Sequence, residues 1–344
     1  MGLNFKELVN KEEVNFEQLK NKILVVDSMN LLYQFLTTIR SADGSVLMDN
    51  NGNVTSHIIG LFSRTTKLMA EGLKLAFVFD GKAPDIKQKT KDLRKEAKIE
   101  AGIKFKQAEE DGDLEKMKMY SSRTAVLTKK MVDDAKEILE ALGLPIIQAP
   151  SEGEAQAAYI VSKGDAYAAI SQDYDNLIFN CPRLIRNLSI EGKRKKAGKY
   201  GYVKIKPEMI LLKDVLNNLE LNIDQLIILA ILVGTDYNPG GVKGIGPKKG
   251  LNLVKKHNDF AEIFKEINWQ ESFPELDWQI IYETIKHIPV TDDYNLTWKS
   301  VNETKLKELL VIKHSFDPER VETKLELLNK SAEKRTQKGL SNYF

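Results

Sequence analysis

Cysteine is nearly absent: Cys181 is the only one in 344 residues, so no intrachain disulfide can form. The four histidines and this one cysteine show no zinc-site spacing, and a reducing compartment is the expectation. No run approaches the roughly 18 apolar residues of a membrane helix, and no signal-peptide pattern opens the chain. A soluble intracellular protein without a membrane partner is expected. The Gly-Lys-Ser/Thr phosphate loop is missing, so nucleotide hydrolysis gains no support. Proline and glycine are sparse, at 10 and 21. Neither sign of charge dominates, since 51 basic and 49 acidic side chains leave +2. A near-neutral total does not exclude a nucleic-acid partner when the two signs are segregated along the chain. At 42% hydrophobic and 29% charged, the composition is globular, with chain enough for one elaborated domain or up to three.

Short apolar runs that lead into acids are present. Residues 22–27 end at Asp27, and residues 74–80 repeat the pattern and end at Asp80. Residues 145–148 and 166–171 are two more such runs, followed within a few positions by Glu152 and Glu154 and by Asp173 and Asp175. With helical segments between them, these runs predict parallel strands buried on both faces. Ligands bind beyond the carboxyl ends of such strands, where these six acids would share one edge. Clustered carboxylates repel unless a cation sits among them, and hard oxygen ligands suit Mg²⁺. Two local alternatives stand beside this one. Ser151-x-x-Glu154 fits a capping box, and residues 173–176 could form an ordinary polar turn. Asp236 is a seventh candidate, because an acid just past the apolar helix of residues 223–233 faces the negative end of the helix dipole.

Residues 82–130 form a charged insertion between the second and third runs. Its first part, residues 82–106, holds nine Lys/Arg against four Asp/Glu. Lys87 and Arg94 are seven apart and fall within about 20° of one helical face. Residues 109–113 read as a turn between two helices. Further on, residues 185–203 read as two strands joined by a basic loop at residues 193–196. Gly241 to Gly250 contains Gly244, Gly246, Lys248 and Lys249, with Pro247 at a helix start. This is a helix-hairpin-helix pattern (residues 223–257) suited to gripping phosphate backbone without reading sequence. Residues 330–338 are polar and are expected to be a flexible tail. Beyond them, Leu340, Tyr343 and Phe344 would share a face on one helical turn, as a partner groove requires.

These motifs together resemble the flap endonuclease family of archaeal and eukaryotic type, over nearly the whole chain. They are Val26-Asp27-Ser-Met, Val78-Phe-Asp80-Gly-Lys82, residues 149–157 around Glu152 and Glu154, Ser171-Gln-Asp173-Tyr-Asp175, Gly234-Thr-Asp236-Tyr and Gly241–Gly250. The resemblance implies an α/β fold of PIN-like type: a central, largely parallel sheet flanked by helices, with a helical arch insertion and the helix-hairpin-helix. Residues 1–329 would be one nuclease domain and residues 330–344 a tail. It implies two Mg²⁺, with Mn²⁺ as a substitute, held by Asp27, Asp80, Glu152, Glu154, Asp173, Asp175 and Asp236. It further implies Lys87 and Arg94 on the scissile phosphate, Tyr33 stacked on a neighbouring base, and Gly2 buried at the N-terminus against the DNA. K⁺ would sit at the hairpin, and Arg320 in a pocket for a one-nucleotide 3′ flap. Gln337, Leu340, Tyr343 and Phe344 resemble a motif for a PCNA-type sliding clamp. A monomer cutting 5′ flaps in DNA replication and repair, with 5′→3′ exonuclease activity, is the expectation. A junction or bubble nuclease and a non-catalytic clamp adaptor are the alternatives.

Overall fold

The computed structural model describes residues 5–41, 44–188, 192–195 and 202–340. Its main sheet has seven strands: β1 (Glu12–Glu13), β2 (Ile23–Asp27), β3 (Lys74–Phe79), β4 (Ile146–Gln148), β5 (Ala168–Ile170), β6 (Arg183–Arg186) and β9 (Glu208–Leu211), in the order β1-β9-β6-β5-β2-β3-β4. The five strands from β6 to β4 run parallel; β9 and β1 close one edge antiparallel. A separate antiparallel pair joins β7 (Gly192–Lys195) to β8 (Tyr202–Ile205).

Helices follow the strands they cover: α1 (Phe16–Leu19), α2 (Ser28–Thr38), α3 (Ser56–Ala70), α4 (Gln88–Glu110), α5 (Leu114–Arg123), α6 (Lys129–Ala141) and α7 (Gly153–Lys163). The second half adds α8 (Leu212–Leu219), α9 (Ile223–Val233), α10 (Pro247–Lys256), α11 (Phe260–Glu266), α12 (Trp269–Ser272), α13 (Trp278–Lys286), α14 (Glu303–Lys307) and α15 (Pro318–Leu340). No single described helix is long and apolar enough to cross a membrane.

Period-two alternation splits the core into two layers. Leu24, Val26, Leu75, Phe77 and Phe79 pack toward α2, α3, α6 and α15. Val25, Ala76, Val78 and Ala169 pack toward α7 and α9. With both faces buried, the strands read as unbroken apolar runs, and polar side chains are confined to their ends.

The insertion is a two-helix arch, α4 and α5, with its turn at residues 111–113 as expected. Elsewhere the sequence reading needs correction. The first twenty residues, whose sequence reads as a short amphipathic helix and a polar link, hold in their described part a two-residue edge strand paired with β9 and the single helical turn α1. Lys193, Arg194 and Lys195 lie within β7, not in the loop between strands. No flexible tail begins at Lys330, since α15 continues to Leu340. Its Ala, Glu, Lys, Arg and Gln residues are good helix formers and need no core contact to extend a helix already begun.

Helices α2 and α3 cross most closely at Gly60, where a β-carbon would lie 2.3 Å from Cγ of Phe35 and 2.7 Å from Cδ1 of Ile39. Gly60→Ala is therefore expected to destabilise the fold by about 1–3 kcal/mol despite its better helix propensity, read as a lower denaturant midpoint.

Candidate active site

The acids collect where the parallel strands end. β2 and β3 are in register through Asp27↔Val78, so Asp80 follows two residues beyond the level of Asp27 at the ends of neighbouring strands. β5 pairs with the other side of β2 and delivers Asp173 and Asp175 after it. Glu152 is the residue from which α7 starts, and Glu154 lies in its first turn. The helix N-terminus, with its free N–H groups, faces these carboxylates. Ser151 makes no capping box, because the N-cap of the helix is the next residue, Glu152, and α7 begins at Gly153.

Three of the seven acids are buried, with Asp27 4% exposed, Glu152 6% and Asp175 7%, while Glu154, Asp173 and Asp236 are half-buried. Burial first, and Asp80 second, push the Asp27 carboxyl up to about 7, against hydrogen bonds from Asn30 and Ser171. Burial raises Glu154 well above the ordinary range, with Asp175, Asp27 and Asp173 adding to it. Asp173 is raised by burial and by Asp236, and Asp80 by burial despite the Gly153 N–H. These carboxyls are shifted toward the protonated form because burial disfavours their charge and their neighbours are negative.

Asp236 behaves oppositely. Burial works to raise it, but Lys87 and Arg94 outweigh burial and hold it below the usual carboxylate range. Lys87 Nζ lies 2.7 Å from Glu152 Oε1 and 3.1 Å from Asp236 Oδ2, and Arg94 Nη2 lies 2.5 Å from Asp236 Oδ1. Both basic residues stand at the base of the arch, so the face predicted from their spacing is the one turned toward the acids. Burial would lower the Lys87 ammonium, yet Glu152 and Asp236 together raise it. Among the described residues no three His, Cys, Asp or Glu side chains already converge as one ion's ligands. Part of the acid is turned toward Lys87 and Arg94 instead. The donor set is nevertheless all oxygen, buried or half-buried except at Asp80, and in excess of its local positive charge, which suits a hard divalent cation.

Neutral donors that sequence reasoning missed hold these acids in place. Asn30 donates from its backbone N to Asp27 Oδ1 at 3.1 Å and from Nδ2 to Asp173 Oδ2 at 2.7 Å, tying the two strand ends together. Ser171 Oγ donates to Asp27 Oδ2 at 3.3 Å and accepts from Asp173 N at 3.3 Å. Gly153 N donates to Asp80 Oδ1 at 2.7 Å. A glycine between two glutamates was a usable signal; the Asn and Ser had none beyond nearness in sequence to Asp27 and Asp173.

The other predicted residues are spread around this centre. Tyr33, on α2, is 37% exposed, with Lys98 Nζ of the arch 5.3 Å from its ring centroid. The hairpin turn lies downstream of Asp236. Gly244 takes φ +77° there, and Gly246 stands at the exposed N-cap of α10, followed by exposed Lys248 and Lys249. Gly250 does not face this turn: it is buried against α9, where a β-carbon would lie 2.8 Å from Leu229 Cδ1. Arg320 is exposed in the first turn of α15. Gln337 and Leu340 fall in the backbone of α15, while Gly2, Tyr343 and Phe344 lie outside the described residues.

Known proteins share this arrangement. Residues 3–101 match the family described as XPG N-terminal domain, and residues 143–236 match the XPG I-region. Flap endonuclease 1 of Staphylothermus marinus is 50% identical over 351 aligned positions, covering 100% of both chains. The solved flap endonuclease-1 of Methanococcus jannaschii superposes with a TM-score of 0.75 at 38% identity, covering 97% of this chain and 100% of that one. The catalytic core of Rad2 in complex with DNA substrate has the same fold (TM-score 0.68, 23% identity, 95% and 100% covered). Likeness to enzymes over the full length removes the non-catalytic adaptor. The chain belongs to the flap endonuclease family and is a structure-specific 5′ flap endonuclease that hydrolyses DNA phosphodiesters.

Proposed function

We propose that this chain cuts near the base of 5′ flaps with two Mg²⁺, replaceable by Mn²⁺, held by Asp27, Asp80, Glu152, Glu154, Asp173, Asp175 and Asp236. The observation that carries the reading is the imbalance at the sheet edge. Buried carboxyls there are raised by one another, while the cations of the arch base reach only Glu152 and Asp236. When bound, the cations activate water and shield the leaving 3′ oxygen. Asn30 and Ser171 fix the orientation of Asp27 and Asp173. Gly153 anchors Asp80 through its N–H, which a side chain at this position would obstruct. Lys87 and Arg94 turn from carboxylate to the scissile phosphate and offset the charge that develops on it. Tyr33 stacks on the adjoining base.

The remaining residues select the substrate by shape. The arch of α4 and α5 admits a single-stranded 5′ end, which also allows 5′→3′ exonuclease action. Gly244, Gly246, Lys248 and Lys249, with K⁺, hold duplex backbone, and Arg320 and Gly2 contact the DNA near the nick. Gln337, Leu340, Tyr343 and Phe344 bind a PCNA-type sliding clamp, and the protein works as a monomer inside the cell. Backbone contacts of this kind make affinity fall steeply with salt.

Double-flap DNA, plain duplex and a four-way junction, each with Mg²⁺ and with EDTA, test the reading. Mg²⁺-dependent cutting confined to the flap is expected, together with at least a roughly hundredfold loss in Asp173→Asn at unchanged flap affinity. Cutting in EDTA, or an active Asp173→Asn, contradicts the metal assignment. Preferred cutting of the junction contradicts the substrate. In Gly153→Ala the new β-carbon would lie 2.7 Å from Asp80 Oδ1. The cleavage rate is expected to fall while the melting temperature holds, because Asp80 sits at the exposed rim of the sheet.

A further inference from the structure

Three side chains of the arch base meet the loop that carries Asp236: Lys87, Thr90 and Arg94, spaced three and four apart on one helical face. Lys87 and Arg94 bind the Asp236 carboxylate. Thr90 is 4% exposed, and its Oγ1 donates to the main-chain carbonyl of Asp236. That loop is a stiff partner. Thr235 donates from N and Oγ1 to Asn238 Oδ1 at 3.1 and 2.7 Å, and Asn238 Nδ2 donates to Ile231 O at 2.7 Å. At Gly234, φ +112°, a β-carbon would lie 2.5 Å from the nitrogen of Gly241.

The two ionic contacts cannot be the lasting anchor, an argument that rests on the roles proposed above for Lys87 and Arg94. An ammonium bonded to Glu152 and Asp236 is not free to meet a phosphate oxygen. A carboxylate oxygen engaged by a guanidinium cannot offer the same lone pair to a metal ion. Both contacts must be exchanged on the way to reaction. The Thr90 contact uses the carbonyl of Asp236 and none of its carboxylate, so it survives the exchange. We propose that Thr90 is a positioning residue: it keeps the arch base registered on the Asp236 loop while Lys87 and Arg94 pass from carboxylate to phosphate.

Thr90→Val removes the hydroxyl and keeps the branched shape, whereas Thr90→Ser keeps the hydroxyl. Single-turnover flap cleavage is expected to slow about tenfold in Thr90→Val, the effect of one hydrogen bond lost between positioned groups, with flap affinity and Tm unchanged. Thr90→Ser restores the rate. In a Lys87→Ala background Thr90→Val costs less than in the wild type, because one of the two groups it positions is already gone and only Arg94 still depends on it. An undiminished rate in Thr90→Val beside a crippled Lys87→Ala overturns the anchor and leaves the roles of Lys87 and Arg94 standing. A Lys87→Ala protein at the wild-type rate overturns the role on which the anchor rests. A Thr90→Val loss that is undiminished in the Lys87→Ala background, or that comes with a lower Tm, marks simple packing and also overturns it.

Discussion

Repulsion among carboxylates at the carboxyl end of one parallel sheet is the constraint on which the rest of the structure depends. Parallel pairing in register puts Asp27, Asp80 and the Asp173–Asp175 pair at the ends of three adjacent strands, and the start of α7 adds Glu152 and Glu154. Water is largely excluded, so the repulsion is relieved only by protons, by cations or by hydrogen-bond donors. All three solutions occur. Asp27 and Glu154 are shifted toward the protonated form, Lys87 and Arg94 supply positive charge, and Asn30, Ser171 and Gly153 donate N–H or O–H without adding charge.

The site is consequently divided. Around Asp236 the arch base keeps the carboxylate ionised, through contacts that are lost if the arch moves away. Around Asp27 and Glu154 no basic side chain among the described residues comes as close, and burial shifts both carboxyls upward. One half is prepared by the protein's own cations, and the other needs cations from solution. Lys87 and Arg94 also stand at the base of the arch proposed to admit the nucleic acid strand, which would link substrate entry and the charge state of Asp236 through two side chains.

Much of this was legible in the sequence because both-face burial leaves a simple record. β2, β3, β4 and β5 appear as apolar runs, and polar residues return only at their ends, where the acids stand. The 87/94 spacing likewise identified the inward face of α4. What escaped was chemistry without a period. Asn30 resembles any polar residue in the first turn of a helix, and Thr90 any polar residue in a charged one; only the fold brings Asp173 and Asp236 to them. The tail was misread for a related reason. Polarity rules out a core position but not a helix, and α15 runs to Leu340 on backbone propensity. The edge strand β1 was missed because it has two residues, too few to show alternation.

Proton release on cation binding tests the central claim most directly. Titrating Mg²⁺ or Mn²⁺ into the protein near pH 6.5, in buffers of differing ionisation enthalpy, gives both the number of ions bound and the protons expelled. Asp27, raised to about 7, is largely protonated there and must lose its proton to become a ligand. The account predicts two ions per chain and net proton release that diminishes as pH rises past the raised carboxyl values. Ion binding without proton release, or no binding that Asp27→Asn weakens, would contradict it.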